Sequence, residues 1–200
     1  TEKFYPHNNR DMLRAKYNIP KDAFCPAIVA RIRNLRNKGH QHLIDILSDR
    51  SGARNWHLII LGTGEGRWSL RYQIWNKGLA DRIHFLGHKP DVENYLDAAD
   101  AIVLPSRIET FGLALAEGMA MQKPAAAYDV GGIKEVIEDK KTGFLIPYGD
   151  DDLLYERLHY LAVNKEFCRQ MGCAAEKAIT MYFSKEKMLR EILSLYAKCV

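Results

Sequence analysis

After Pro20 the chain alternates between short, continuous apolar runs and longer segments whose apolar positions recur at helical spacing. The runs are AIVARI (27–32), HLIIL (57–61), RIHFL (82–86), AIVLP (101–105), PAAAYD (124–129) and GFLIPY (143–148). Runs this short, with few polar interruptions, fit strands buried on both faces. Between them, HQHLIDILSDR (40–50) places Leu43, Ile44, Ile46 and Leu47 on one helical face, and RWSLRYQIW (67–75) has Trp68, Leu70, Ile74 and Trp75 near helical spacing. DVENYLDAA (91–99), FGLALAEGMAM (111–121) and IKEVIE (133–138) continue the alternation. After Asp150 helices are expected near 151–163, 165–182 and 184–199. Ser184 stands at an N-cap position, followed three residues on by Lys187 instead of the acid of a capping box. The pattern predicts an α/β fold: a Rossmann-like parallel sheet of about six strands, helices on both faces and a helical C-terminal tail. Residues 1–24 read as a lead-in or linker segment, 25–182 as the layered domain and 183–200 as a C-terminal helix.

Such sheets bind ligands beyond the carboxyl ends of their strands, so the residues just after each strand carry the chemistry. RIRNLRNKG (31–39) follows the first strand, with Arg31, Arg33, Arg36 and Lys38 within eight positions. An anion clamp and a solvated basic loop both fit; a nucleic-acid patch lacks interleaved aromatics. GTGEGR (62–67) follows the second strand, and Gly62 and Gly64 could let a ligand approach the backbone closely. Arg67 stands where a dinucleotide fingerprint needs its third glycine, and no Walker lysine follows. GHKP (87–90) follows the third strand. His84 and His88 lie close to it, but the histidines show no H-E-x-x-H spacing, so no metal is expected. DVGG (129–132) follows the fifth, where Gly131 and Gly132 permit tight backbone at another helix start.

SRIETFGLALAEGMA (106–120) follows the fourth strand, with Glu109 and Glu117 eight positions apart. Eight helical residues span ~12 Å, too far for two carboxylates to share a proton. With the helix starting near Phe111 or Gly112, Glu109 lies ahead of it and Glu117 about a turn and a half inside. The first amides, those of Gly112, Leu113 and Ala114, then lack intrahelical partners and favour an anion. Carboxylates accept hydrogen bonds from hydroxyls. The layout suits a ligand with phosphate in its middle and hydroxyl-bearing rings at both ends, as in a nucleotide-sugar.

Composition narrows this little. At 47% hydrophobic and 27% charged, the 200-residue chain can build one sizeable core. A net charge of +4 fits an anionic ligand. Cys25, Cys168, Cys173 and Cys199 form no C-x-x-C pair and read as free thiols of a reducing cytoplasm.

The segments VAR…KGH…LI, LGTGEGR, DRIHFLGH, DAADAIVLPSRIETFGLALAEGMA, KPAAAYDVGGIKEVI and TGFLIPYGD occur here in the order found in family 4 retaining glycosyltransferases of the GT-B fold, which this chain resembles from about residue 1 to 197. The resemblance implies the donor-binding C-terminal half of such an enzyme, with residues 25–182 as its nucleotide-sugar-binding domain. It implies Arg31 and Lys38 as a diphosphate-binding pair, with Arg33 as a competitor for Arg31 because the loop looks two residues longer than usual. Glu109 would contact donor sugar hydroxyls, Glu117 the ribose, and backbone at Phe111 to Leu113 the phosphates. HFLGHK, with Gly87 and Lys89, would border the base. It further implies transfer to an acceptor in glycan, polysaccharide or glycolipid synthesis. No cofactor or metal joins the donor, and the partner is an N-terminal acceptor-binding domain of the same protein. The setting implied is cytoplasmic, with peripheral membrane association, where there is any, through that missing domain and at the inner face. A nucleotide-sugar epimerase and a non-catalytic nucleotide-binding module are the alternatives.

Overall fold

The computed structural model describes residues 3–198. Its strands are β1 (Pro26–Val29), β2 (Leu58–Leu61), β3 (Ile83–Gly87), β4 (Ala101–Leu104), β5 (Ala125–Tyr128) and β6 (Gly143–Ile146). They form one parallel sheet in the order β3-β2-β1-β4-β5-β6. β2, β4 and β5 are buried along their whole length, as continuous apolar runs require. The helices are α1 (Arg10–Lys16), α2 (His40–Asp49), α3 (Arg67–Asn76), α4 (Val92–Leu96), α5 (Leu113–Ala120), α6 (Ile133–Val136), α7 (Asp151–Val163), α8 (Lys165–Tyr182) and α9 (Lys185–Lys198). α2 packs on α3 and α7, and α5 on α4 and α8, which gives the sheet its two helical layers.

Small residues set how closely these layers approach. A Cβ on Gly118 of α5 would lie 2.7 Å from Ile102 Cβ on β4, and one on Gly172 of α8 would meet the Gln122 carbonyl at 2.1 Å. The three alanines of β5 leave room in the same region. On α2 the apolar face is buried as its spacing predicts, through Leu43, Ile44, Ile46 and Leu47. On α3 only Leu70 and Ile74 are buried; Trp68 and Trp75, grouped with them in the sequence pattern, are 67% and 73% exposed. Ser184 Oγ accepts from the Lys187 amide at 3.3 Å and so caps the start of α9.

The lead-in segment carries α1 and is tied to the corner before β4. Asp97 accepts from the amides of His7 and Asn9, and Asp100 pairs with Arg10 and Arg14. Arg14 is 1% exposed and also donates to the carbonyls of Ala98, Pro20, Lys21 and Ala23, so each nitrogen of its buried guanidinium has an acceptor. Cys25, Cys168 and Cys173 are free, and burial pushes the Cys25 and Cys168 thiols up to about 12. Cys199 lies outside the described residues. Among the described residues no helix is long and apolar enough to cross a membrane.

The strand order reverses between β1 and β4: β1 leads outward to β2 and β3, and β4 to β5 and β6. The chain leaves these two neighbours for opposite halves of the sheet, which leaves a crevice beyond their carboxyl ends.

Candidate functional site

The loop after β1 is built in two parts. Its first part continues alongside β2: the amides of Ala30 and Ile32 bond to the carbonyls of Leu61 and Thr63, both at 3.0 Å. Gly62 and Gly64 press against this stretch, where a Cβ on either would meet the carbonyl of Ala30 or Ile32 at 2.1 Å. Their smallness thus serves the approach of two loops, and neither glycine lines the cavities described below. The second part crosses to β4. The Asn37 carbonyl accepts from the Arg107 amide at 2.9 Å, and Gly39, at φ +85°, packs so tightly that a Cβ would lie 2.3 Å from Pro105 Cγ. Only glycine tolerates both the left-handed backbone and this approach. The crossing delivers Lys38 Nζ to 2.5 Å from Glu109 Oε1 and 3.4 Å from the Ile108 carbonyl. Ser106 Oγ donates to the same Oε1 at 3.1 Å.

The Glu109 loop is held from behind. Gly131 (φ +55°) and Gly132 stack on it, where a Cβ would come within 1.8 Å of the Glu109 carbonyl and 2.2 Å of the Thr110 carbonyl. Gly112, also left-handed at φ +85°, turns the chain into α5 as its N-cap. The helix begins at Leu113, one or two residues later than the sequence pattern suggests. The amides of Leu113 and Ala114 have no backbone acceptor among the described residues and face outward as the positive end of the helix.

These elements enclose a cavity of about 340 Å³, lined by Arg31, Lys38, Glu109, Thr110 and the Phe111–Ala114 turn. Arg31 also lines a recess of about 360 Å³ with Arg33 and Lys38; Arg33 reaches the recess but not the cavity. A second cavity, about 490 Å³, shares Phe111 and Leu113 with the first and holds Glu117 among Phe4, Tyr182 and Met188. Glu109 and Glu117 thus stand in adjoining cavities on either side of the α5 N-terminus. Burial raises the Glu117 carboxyl above its ordinary value, with Lys3 pulling it down and Glu93 pushing it further up. Lys3 lies 3.1 Å from Glu93 Oε2 and donates to the Pro90 carbonyl, which brings the segment after β3 close to Glu117. Within that segment Gly87 is left-handed at φ +75° with open space beside it, and Lys89 lies 5.2 Å above the Tyr95 ring. Neither lines the two cavities.

Sequence reasoning missed Gly39, Asn37 and Ser106, which position Lys38 and Glu109. The glycine directly after Lys38 and ahead of a helical pattern is the one signal that could have shown the first of them. His40, one of the scattered histidines read from the sequence as structural or surface, is buried at the start of α2 with both ring nitrogens unpartnered among the described residues; burial lowers it to about 4, so it is neutral at pH 7. His84 stacks on His57, with Nε2 and Nδ1 2.9 Å apart, and burial brings it down to about 4 as well. Among the described residues no three of His, Cys, Asp and Glu converge where they could hold a metal ion.

Chemically, the first cavity joins two cations to a helix N-terminus, which suits phosphate oxygens, and a carboxylate, which suits hydroxyls. Lys38 and Glu109 form an ion pair at the cavity wall, so a phosphate entering it competes with Glu109 for the ammonium.

Residues 9–178 match the family model for glycosyl transferases group 1. The chain is 29% identical over 196 residues to N-acetyl-alpha-D-glucosaminyl L-malate synthase of Bacillus anthracis, covering 98% of this chain and 51% of that protein. Sucrose-phosphate synthase from Thermosynechococcus elongatus superposes with a TM-score of 0.86 at 25% identity, over 99% of this chain and 50% of that one. Anabaena Alr3699/HepE, solved in complex with UDP-glucose, superposes with a TM-score of 0.88 at 23% identity, over 98% and 55% of the two chains, a likeness of fold. The chain thus spans about half the length of the relatives it matches.

Proposed function

This chain belongs to the glycosyl transferases group 1 family, and on that premise we propose that it is the donor-binding part of a retaining glycosyltransferase of family 4, which uses a nucleotide-diphosphate sugar. The observation that carries the reading is the convergence of Arg31, Lys38, Glu109 and the free α5 amides at the crevice between β1 and β4. The diphosphate rests on the amides of Leu113 and Ala114, with Arg31 and Lys38 against its oxygens. As the bond from sugar to diphosphate breaks, negative charge grows on the leaving oxygen, and fixed cations and helix dipoles stabilise it without reorganising. Glu109 accepts from the sugar's hydroxyls. Glu117, in the adjoining cavity, accepts from the ribose, and the base extends toward Gly87 and Lys89. That Anabaena Alr3699/HepE has been solved with UDP-glucose supports the donor class. The family's description as glycosyl transferases favours transfer over epimerisation.

The acceptor side lies outside these residues in this reading, on a separate N-terminal domain, and the protein works in the cytoplasm on glycan, polysaccharide or glycolipid synthesis without a metal ion. A thermal-shift series with UDP, GDP and ADP tests the donor site. A diphosphate at 100 times its dissociation constant adds ~2.7 kcal/mol, which for a chain of this size is a rise of ~5–10 °C. No shift with any of the three sinks the reading.

A further inference from the structure

The outward face of α3 has no role in the donor crevice. Trp68, Tyr72 and Trp75 on it are 67%, 59% and 73% exposed. At ~100° per residue they fall within an arc of ~60°, roughly opposite the buried Leu70 and Ile74. Soluble surfaces rarely show three such rings in one stripe. Arginines border it on both sides. Arg67 lies 5.3 Å above the Trp68 ring and Arg71 5.2 Å above the Phe85 ring. On the other flank, Arg33 and Arg36 share a recess of about 360 Å³ with Ser69 and Gln73 of the helix. None of these four guanidinium groups has a carboxylate partner among the described residues.

We propose that this face of α3, with the arginines on its flanks, docks the chain onto an anionic lipid bilayer. Tryptophan and tyrosine concentrate at the level of the headgroups, where an apolar ring with a polar edge is best solvated. Unpaired arginines beside them add attraction to anionic lipids. α3 begins just after the β2 end of the sheet, so the bilayer would lie alongside the crevice edge.

The test uses the 200-residue chain, whose third tryptophan, Trp56, is only 3% exposed and serves as an internal reference. Sedimentation with vesicles of phosphatidylcholine containing about one-third phosphatidylglycerol is expected to carry the chain down at least ~10-fold more effectively than phosphatidylcholine alone. Tryptophan emission should shift to the blue and be quenched by brominated lipid. W68S/W75S should abolish both signals with an unchanged melting temperature, because both rings are exposed, and R67E/R71E should weaken binding by ~10-fold or more. Failure to sediment with anionic vesicles overturns the proposal. So does binding that survives W68S/W75S, or that is lost only in L189S/L193S on α9. Self-association that depends on Trp68 and Trp75 without vesicle binding would assign the face to a second copy instead.

Discussion

Lys38 and Arg31 reach the same cavity by different routes, and their substitutions should differ in kind. Lys38 sits across the loop and touches Glu109. In the complete enzyme Lys38→Ala should lower turnover ~100-fold or more, as loss of one charge-stabilising donor does. Near-normal turnover would remove the cation from the chemistry. Arg31 lines the cavity and Arg33 does not. Arg31→Ala should therefore weaken nucleoside diphosphate binding by ~10–100-fold, the worth of a charged hydrogen bond, and Arg33→Ala far less. Calorimetric titration of the two variants separates them. Glu117 gives the opposite sign for stability and binding. Its carboxyl is raised by burial, so the folded state holds its proton more tightly than the unfolded state. The group favours folding below the unfolded value, and that contribution is lost as pH rises through the raised one. Glu117→Gln should raise the melting temperature at pH 7, with the gain shrinking as pH falls through the raised value, while nucleotide affinity drops ~10-fold. Melting curves at neutral and acid pH, with and without ligand, read both effects.

At the scale of elements, the site is assembled by glycines that let loops touch. Gly39 lets the β1 loop lie on Pro105, and Gly131 lets the β5 loop lie under Glu109. Gly131→Ala combines a side chain at φ +55° with a Cβ 1.8 Å from a carbonyl oxygen. Strain of that kind costs ~1–3 kcal/mol for the backbone alone. The variant should melt lower and bind donor more weakly, because Glu109 moves with its loop. Unchanged melting would mean the loop yields freely. Apart from α1, which lies in the segment read as a lead-in, helix starts were legible to within two residues, from glycines and the onset of apolar spacing. The outward Trp68 and Trp75 were not, because they fall on the face opposite Leu70 and Ile74, and two apolar faces on one helix do not say which of them the sheet covers.

At the scale of the whole molecule, the segment before β1 is held by two aspartates at the corner ahead of β4. Asp100→Ala removes the carboxylate partner of Arg14, which is 1% exposed. Uncompensated buried charge costs ~3–5 kcal/mol, and the carbonyls around Arg14 recover part of that. Denaturant titration should show a loss of about 2–4 kcal/mol. This anchoring was invisible in the sequence, where residues 1–24 read as a lead-in, because its partners lie about 90 positions away. The sequence by itself determined the alternation of strand and helix, the parallel sheet and the Glu109–Glu117 pair around a helix start, since each follows from side-chain period and local backbone chemistry. Only the tertiary structure decided that Lys38 meets Glu109, that Arg31 and not Arg33 enters their cavity, and that Gly62 and Gly64 face a neighbouring loop. Those outcomes depend on how far two loops from adjacent strands approach one another, a distance set by packing across the sheet and written in no single stretch of chain.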